Sequence, residues 1–171
     1  MSLSTTLTIT DDSGFMAIVN ADRYKSFVDR DWELTQLFNH FVDEMDNNHI
    51  IIWATGYENT WTVDIVAEQS EKKSFREFHK TIGVTAGKLF LTNYEDLTMA
   101  AAFSDERIPA KNNNDMFVQL ENGLYKLTIR QLFDPGDHDY TPEDEPGFEI
   151  IVQPEKDKHI QQAERVYWWE Q

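Results

Sequence analysis

Asp134, Asp137, His138 and Asp139 fall within a span of six residues, and carboxylate oxygens beside an imidazole are ligand types that divalent cations accept. Their spacing lacks the alternating oxygen donors, central Gly and closing Glu of a calcium loop, so no metal and no cofactor is expected. The acidity extends further: between Asp134 and Asp157 nine carboxylates face the single cation Lys156, a net −8 in 24 residues and half of the chain's formal charge of −16. Such a concentration attracts basic surfaces and repels nucleic acid. Within it, Asp137, Asp139, Tyr140, Glu143, Asp144 and Glu145 combine charge with an aromatic ring, which suits an interface where charge steers encounter and a desolvated ring holds the complex. A solubilising acidic loop has the same composition, so both readings stand.

Other chemistry leaves little trace. There is no GxGxxG, GxxxxGK, GxSxG or HExxH, and no Cys to serve as nucleophile, zinc ligand or disulfide partner. The remaining histidines, His40, His49, His79 and His159, share no ligand-like spacing. With 31 acidic residues, candidate catalytic carboxylate pairs are too many to single one out, and the chain reads away from an enzyme. The alternative is a small-ligand binder or hydrolase with an aromatic pocket near Trp53, Tyr57, Trp61 and Asp64.

The elements that position these residues are mostly strands. One helix is clear, from Asp31 to Asp46, where Leu34, Leu37, Phe38, Phe41, Val42 and Met45 recur on one face, with Asp29 or Asp31 as cap and Asn47-Asn48 as the stop. His49 to Ala54 and Trp61 to Ala67 read as a hairpin around Gly56 to Asn59, the first strand more central and Asp64 facing away from Val63 and Ile65. Ser74 to Val84 and Lys88 to Thr92 read as strands around Thr85-Ala86-Gly87, and Leu97 to Phe103 as another strand in preference to a short helix. Met116 to Leu120 and Leu124 to Phe133 form a second expected hairpin around Asn122-Gly123. Pro135-Gly136, Pro142 and Pro146-Gly147 punctuate the acidic loop before the strand Phe148 to Val152. In the tail, Trp168 and Trp169 either dock on the body or pack across a homodimer.

These elements make a mainly β (α+β) fold, antiparallel sheets in a sandwich-like arrangement with the 31–46 helix packed on one side through Leu34, Phe38, Phe41 and Met45. At 171 residues the chain reads as a single domain, 1–171. No apolar run approaches a membrane span, no signal segment is evident, and the lack of Cys fits a cytoplasmic setting. A sequence pI of about 4.5 argues against nucleic acid and anionic lipid, since only Lys72, Lys73, Arg76 and Lys80 cluster, diluted by Glu71 and Glu77.

The stretch from Lys88 to Pro135, with a loop followed by VQLENGLYKLTIRQLFDP, resembles the closing strands of the competence protein J-like nuclease inhibitors and of small bacterial toxin-immunity proteins. There too a short Gly turn precedes an aromatic-bearing strand, as Asn122-Gly123-Leu124-Tyr125 does here. The resemblance implies a bacterial binding protein that captures a basic partner such as a toxin or nuclease. It carries no site residue across.

Overall fold

Alternating apolar and polar residues build nine strands in the computed structural model, which describes residues 3–136, 145–156 and 162–169. They are β1 (Ser4–Asp11), β2 (Phe15–Val19), β3 (Ile50–Ala54), β4 (Asn59–Val66), β5 (Arg76–Val84), β6 (Lys88–Asn93), β7 (Phe117–Gln119), β8 (Gly123–Gln131) and β9 (Phe148–Pro154). Helix α1 (Leu34–Asp46) lies between β2 and β3, and α2 (Tyr94–Ala102) between β6 and β7. One sheet has the order β1-β4-β9-β8-β5 and the other β3-β2-β6-β7; every pairing is antiparallel except β4 with β9. The mainly β sandwich with helical cover is therefore the fold.

A simple rule governs its path. Each short turn (12–14, 55–58, 85–87 and 120–122) carries the chain from one sheet to the other, and each long connection joins strands of the same sheet. Both expected hairpins are thus corrected: β3 and β4 lie in different sheets, as do β7 and β8. Turn residues such as Asn122-Gly123 reverse the chain but do not choose the ladder it joins. β4 instead finds β1 and β9, and β8 finds β5 and β9.

Three layers result. Ile9, Met16, Ile18, Ile51, Trp53, Trp61, Val63, Leu127, Ile129 and Phe148 fill the space between the sheets. Ala17, Val19, Ile50 and Ile52 point from the other side of the β3-containing sheet to Leu37, Phe41 and Met45 of α1 and to Leu97 and Ala101 of α2. β3 is apolar throughout because both its faces are covered, although it is an edge strand rather than the central one expected. Leu97 to Phe103 is corrected from strand to helix: Asn93 Oδ1 accepts from the Asp96 amide at 2.9 Å, and Leu97, Ala100 and Ala101 follow at helical spacing. Helix α1 starts at Leu34, three residues later than expected, because Asp29 Oδ1 takes the Asp31 amide in a turn while Gln36 returns to the Glu33 amide. Leu34 is 49% exposed, so Leu37 occupies the core position assigned to it. Asn48, at φ 62°, ends the helix as expected.

Asp11 ties the layers together. Its Oδ1 accepts from the amides of Ser13, Gly14 and Phe15 at 3.0, 2.7 and 3.1 Å, closing the first arch, while Oδ2 accepts from Thr55 Oγ1 at 2.8 Å and Trp61 Nε1 at 3.1 Å. Asp11→Ala removes the acceptor of the Ser13, Gly14 and Phe15 amides and the acceptor that Trp61 Nε1 and Thr55 Oγ1 share, leaving Thr55 its contact with Tyr57 O, in a site 1% exposed. It is expected to destabilise the fold by about 3 kcal/mol or more, read by chemical denaturation.

Lys80 occupies an inward position of β5 between Phe78 and Ile82 and is 1% exposed. Burial pushes its amine below the ordinary lysine value, with the charge of Asp46 pulling the other way. Between its lowered folded value and about pH 10.4 the unfolded chain holds more protons than the folded one, so the cost of burying this group is full below that window and fades as pH rises through it. Lys80→Met is accordingly expected to raise Tm most near neutrality, with the gain over wild type shrinking as pH approaches 10. A gain independent of pH would sink this account.

Candidate functional site

Strand directions place the arches 12–14 and 55–58, the start of β5 and both described flanks of the 132–147 connection at one end of the sandwich, because Asp11 pairs with Asn59 and Gln131 with both Arg76 and Phe148. Exposed carboxylates gather there: Asp12, Glu58, Asp134 and Glu145. Glu95, in the first turn of α2, joins them by accepting from Ser13 Oγ at 2.5 Å and the Asp12 amide at 3.1 Å.

Asp137, Asp139, Tyr140, Glu143 and Asp144 lie outside the described residues, as does His138 of the cluster considered for a cation. Glu145 is described and exposed. What is visible is how the loop is anchored. Asp134 Oδ1 accepts from the Gly136 amide at 2.8 Å, an Asx turn that starts the loop, and Leu132 N donates to Gly147 O while Gly147 N donates to Thr62 O, each at 2.9 Å. Pro135 presses on the second arch at Gly56, whose φ is +104°; a Cβ there would sit 2.4 Å from Pro135 Cβ. Gly56→Ala is therefore expected to cost about 1–3 kcal/mol and to shift the loop's anchor. Urea denaturation and amide chemical shifts around Asp134 and Gly136 test this; wild-type stability with unmoved shifts would refute it.

The pocket sought near Trp53, Tyr57, Trp61 and Asp64 is not assembled by those residues. Trp53 and Trp61 are fully buried between the sheets, while Asp64 stands on the outer face of its sheet and accepts from Thr6 Oγ1 at 2.8 Å. Only Tyr57 faces a cleft. That cleft, of about 540 Å³, opens at the arch end and is lined by Phe15, Tyr57, Glu58, Arg76, Trp168 and Trp169 among others. Arg76 Nε donates to Gln131 Oε1 at 2.6 Å, one Nη donates to Ala54 O at 3.4 Å, and the guanidinium lies 4.3 Å from the Trp168 ring. Trp168 has φ +63°, an uncommon conformation for a large side chain, and its indole meets Phe78 edge-on at 4.9 Å. Tyr167 beside it makes a one-residue parallel bridge with Trp53, donating to Ile52 O and accepting from the Ala54 amide, while its ring stacks on Phe78 at 3.9 Å. Burial, then Asp46, raises the pKa of the Tyr167 phenol. Trp169 rests on Phe38 at 4.3 Å. Both terminal tryptophans thus dock on their own chain.

A second charged cluster is structural. Across the outer face of the five-stranded sheet, register lines up Thr6, Asp64, Glu149, Arg130 and Glu77. Arg130, 2% exposed, is paired with Glu149 and Glu77 and donates to Lys72 O, while the Ser70 amide reaches Glu149 at 3.3 Å. The 67–75 connection is pinned over the sheet in this way, and Arg130 neutralises the carboxylates that flank it. Its alternation with the inward Leu127 and Ile129 puts it on the outer face, but the cover over that face has no local signal. Nor does the meeting of Arg76 with Trp168, separated by 92 residues.

Fold and site together define an arched two-sheet sandwich with helices over one sheet and an acidic, aromatic-lined end. No family model matches the chain, and no curated protein does. Two solved structures share its fold. The product of crocagin biosynthetic gene J is 9% identical, with 91% of this chain and 99% of that one covered at a TM-score of 0.61. ComJ of Bacillus subtilis, an inhibitor of the DNA-degrading activity of NucA, is 11% identical, with 89% and 97% covered at 0.52. The resemblance read from the Lys88 to Pro135 stretch therefore holds at the level of fold, although its Gly turn is an arch between sheets. Among the described residues no helix is long and apolar enough to cross a membrane.

Proposed function

We propose that this protein is a binding module of the inhibitor or immunity type, which captures a basic protein through the acidic loop at the arch end. One observation carries the reading: the loop from Asp134 to Glu145 springs from the end of the sandwich that already bears Asp12, Glu58 and Glu95. Its charge thus adds to a field that is acidic without it, and such a field steers a cationic partner toward one end of the molecule. The common fold with ComJ, an inhibitor of a nuclease, agrees with this reading and points to a nuclease or toxin as the kind of partner. Asp137, Asp139, Glu143, Asp144 and Glu145 supply attraction in the proposal and Tyr140 the anchoring ring; a cytoplasmic bacterial setting fits.

Arg76, Trp168 and Tyr57 favour a second reading, a small ligand held in the cleft, because aromatic walls with a few fixed polar groups are what such sites need. The two readings separate experimentally. A partner isolated by pull-down with the full chain is titrated against wild type and against the combined variant D137N, D139N, E143Q, D144N, E145Q. The charge reading expects a loss of roughly tenfold or more at low salt and a flatter salt dependence. Unchanged affinity, combined with loss of binding on Tyr57→Ala, would replace it with the cleft.

A further inference from the structure

The two sheets have four edges, and three of them are blunted. β7 is only three residues long. β3 is crossed by the Tyr167 bridge, which occupies Ile52 O and the Ala54 amide. β5 carries Arg76, Glu77, His79 and Lys80, and its Gly83 amide and Thr81 hydroxyl are taken by Asn48 O at 2.9 Å and Asn48 Oδ1 at 2.7 Å. Charges, short strands and covering segments are the usual means of preventing edge-to-edge association.

β1 has none of them over most of its length. It runs eight residues, Ser-Thr-Thr-Leu-Thr-Ile-Thr-Asp, and no charge appears before Asp11 in a chain of net −16. Ala67 N donates to Leu3 O, which fixes the phase of the ladder. The odd-numbered residues of β1 therefore bond to β4, and the backbone groups of Ser4, Thr6, Thr8 and Thr10 point away from the sheet. Asn93 Nδ2 caps Thr10 O at 2.9 Å, whereas Ser4, Thr6 and Thr8 have no outward backbone partner among the described residues. Leu7, on the core side of this edge, is only half-buried.

We infer that β1 is a homodimer interface, in which two copies pair antiparallel through this edge to make a continuous ten-stranded sheet. Pairing centred on Thr6 sets Ser4 of one copy against Thr8 of the other and forms about six backbone hydrogen bonds. It leaves the capped Thr10 carbonyl alone and brings the two Leu7 side chains to the same seam. A second copy suits the edge better than a basic partner does, because Ser4, Thr6 and Thr8 offer no charge for such a partner to recognise. Antiparallel pairing also points the two acidic ends in opposite directions, so the charge gathered there is carried away from the contact, and the Asp64 carboxylate beside the seam is already bonded to the Thr6 hydroxyl. This dimer uses neither Trp168 nor Trp169, and it leaves the proposed capture loop free on each copy.

Sedimentation of the full chain over a range of concentrations tests it, with Thr8→Pro and Thr6→Pro alongside. Each substitution removes an outward amide while sparing the backbone bonds to β4; Thr6→Pro also loses the hydroxyl bond to Asp64, which Thr8→Pro leaves intact. Wild type is expected at twice the chain mass, and both variants at the chain mass with unchanged far-UV circular dichroism. A wild type that is monomeric at every concentration, or folded variants that remain dimeric, overturns the inference. Should both variants unfold, hydrogen exchange on wild type decides instead: the Thr6 and Thr8 amides must become protected as concentration rises, and constant rapid exchange at those positions overturns it equally. Failure here leaves the acidic-loop reading untouched, since the two surfaces share no residue.

Discussion

Everything at the arch end depends on one buried carboxylate. A sandwich whose short turns all cross between sheets has to hold two sheets in fixed register without hairpin ladders to do so, and at this end Asp11 makes that connection. Three of its five bonds fold the first arch and two reach the second arch and the core, through Thr55 and Trp61. An ionised carboxylate is purely an acceptor with about four lone-pair sites, so the three arch amides share Oδ1 while Thr55 and Trp61 take Oδ2, and charge-assisted bonds are stronger than neutral ones. The same residue therefore sets where Ser13, Gly14 and Phe15 stand in the wall of the cleft. The end of the molecule that carries the candidate site is in this sense an extension of Asp11's coordination.

Charge is distributed by a related logic. Among the described residues, carboxylates that are buried have specific partners: Glu44 accepts from the Lys25 amide and His49, and Glu149 is paired with Arg130. Losing either partner would strand a buried charge, which costs far more than the pair contributes. Among the described residues, the exposed carboxylates Asp12, Glu58, Asp134 and Glu145 gather at the arch end, where two arches and the flanks of the 132–147 connection meet. An acidic field at that end thus follows from topology as much as from composition.

Periodicity made α1 legible, with Leu37, Phe38, Phe41 and Met45 inward, and it assigned the faces of β4, with Asp64 outward. Pairing was not legible. Gly56 to Asn59 and Asn122-Gly123 supply real turns, but whether a turn closes a hairpin or an arch depends on which strands arrive later, above all β9, which inserts between β4 and β8. The α2 segment was misread because LTMAAAF is apolar without strong period, and the deciding signal lay outside it, in Asn93 as cap and in Glu95 and Asp96 at the first turn. The cleft was misplaced for a similar reason: aromatic residues close in sequence, Trp53, Tyr57 and Trp61, straddle an arch, so two of them face inward and only Tyr57 reaches the rim. Arg76 and Trp168 come together only through tertiary structure, and no local pattern announces such a pair.

The four long connections differ in what they are committed to. Those between β2 and β3 and between β6 and β7 carry the helices that cover one sheet, so their sequences answer to a core. The connection from β4 to β5 is held over the other sheet by Arg130 and Glu149. The connection from β8 to β9 is different: its described flanks are fixed at Leu132, Asp134 and Gly147, and they turn at the end of the sheet rather than across a face. Phe133 and Pro135 pack its first flank on Trp61 and Gly56, so the base of the loop is fixed by the body, and loops held at their bases on a rigid scaffold are where binding specificity collects. The acidic residues 134–145 belong to the connection whose described flanks, anchored by the Asp134 turn and by Gly147, stand at the arch end rather than under a helix or across a sheet.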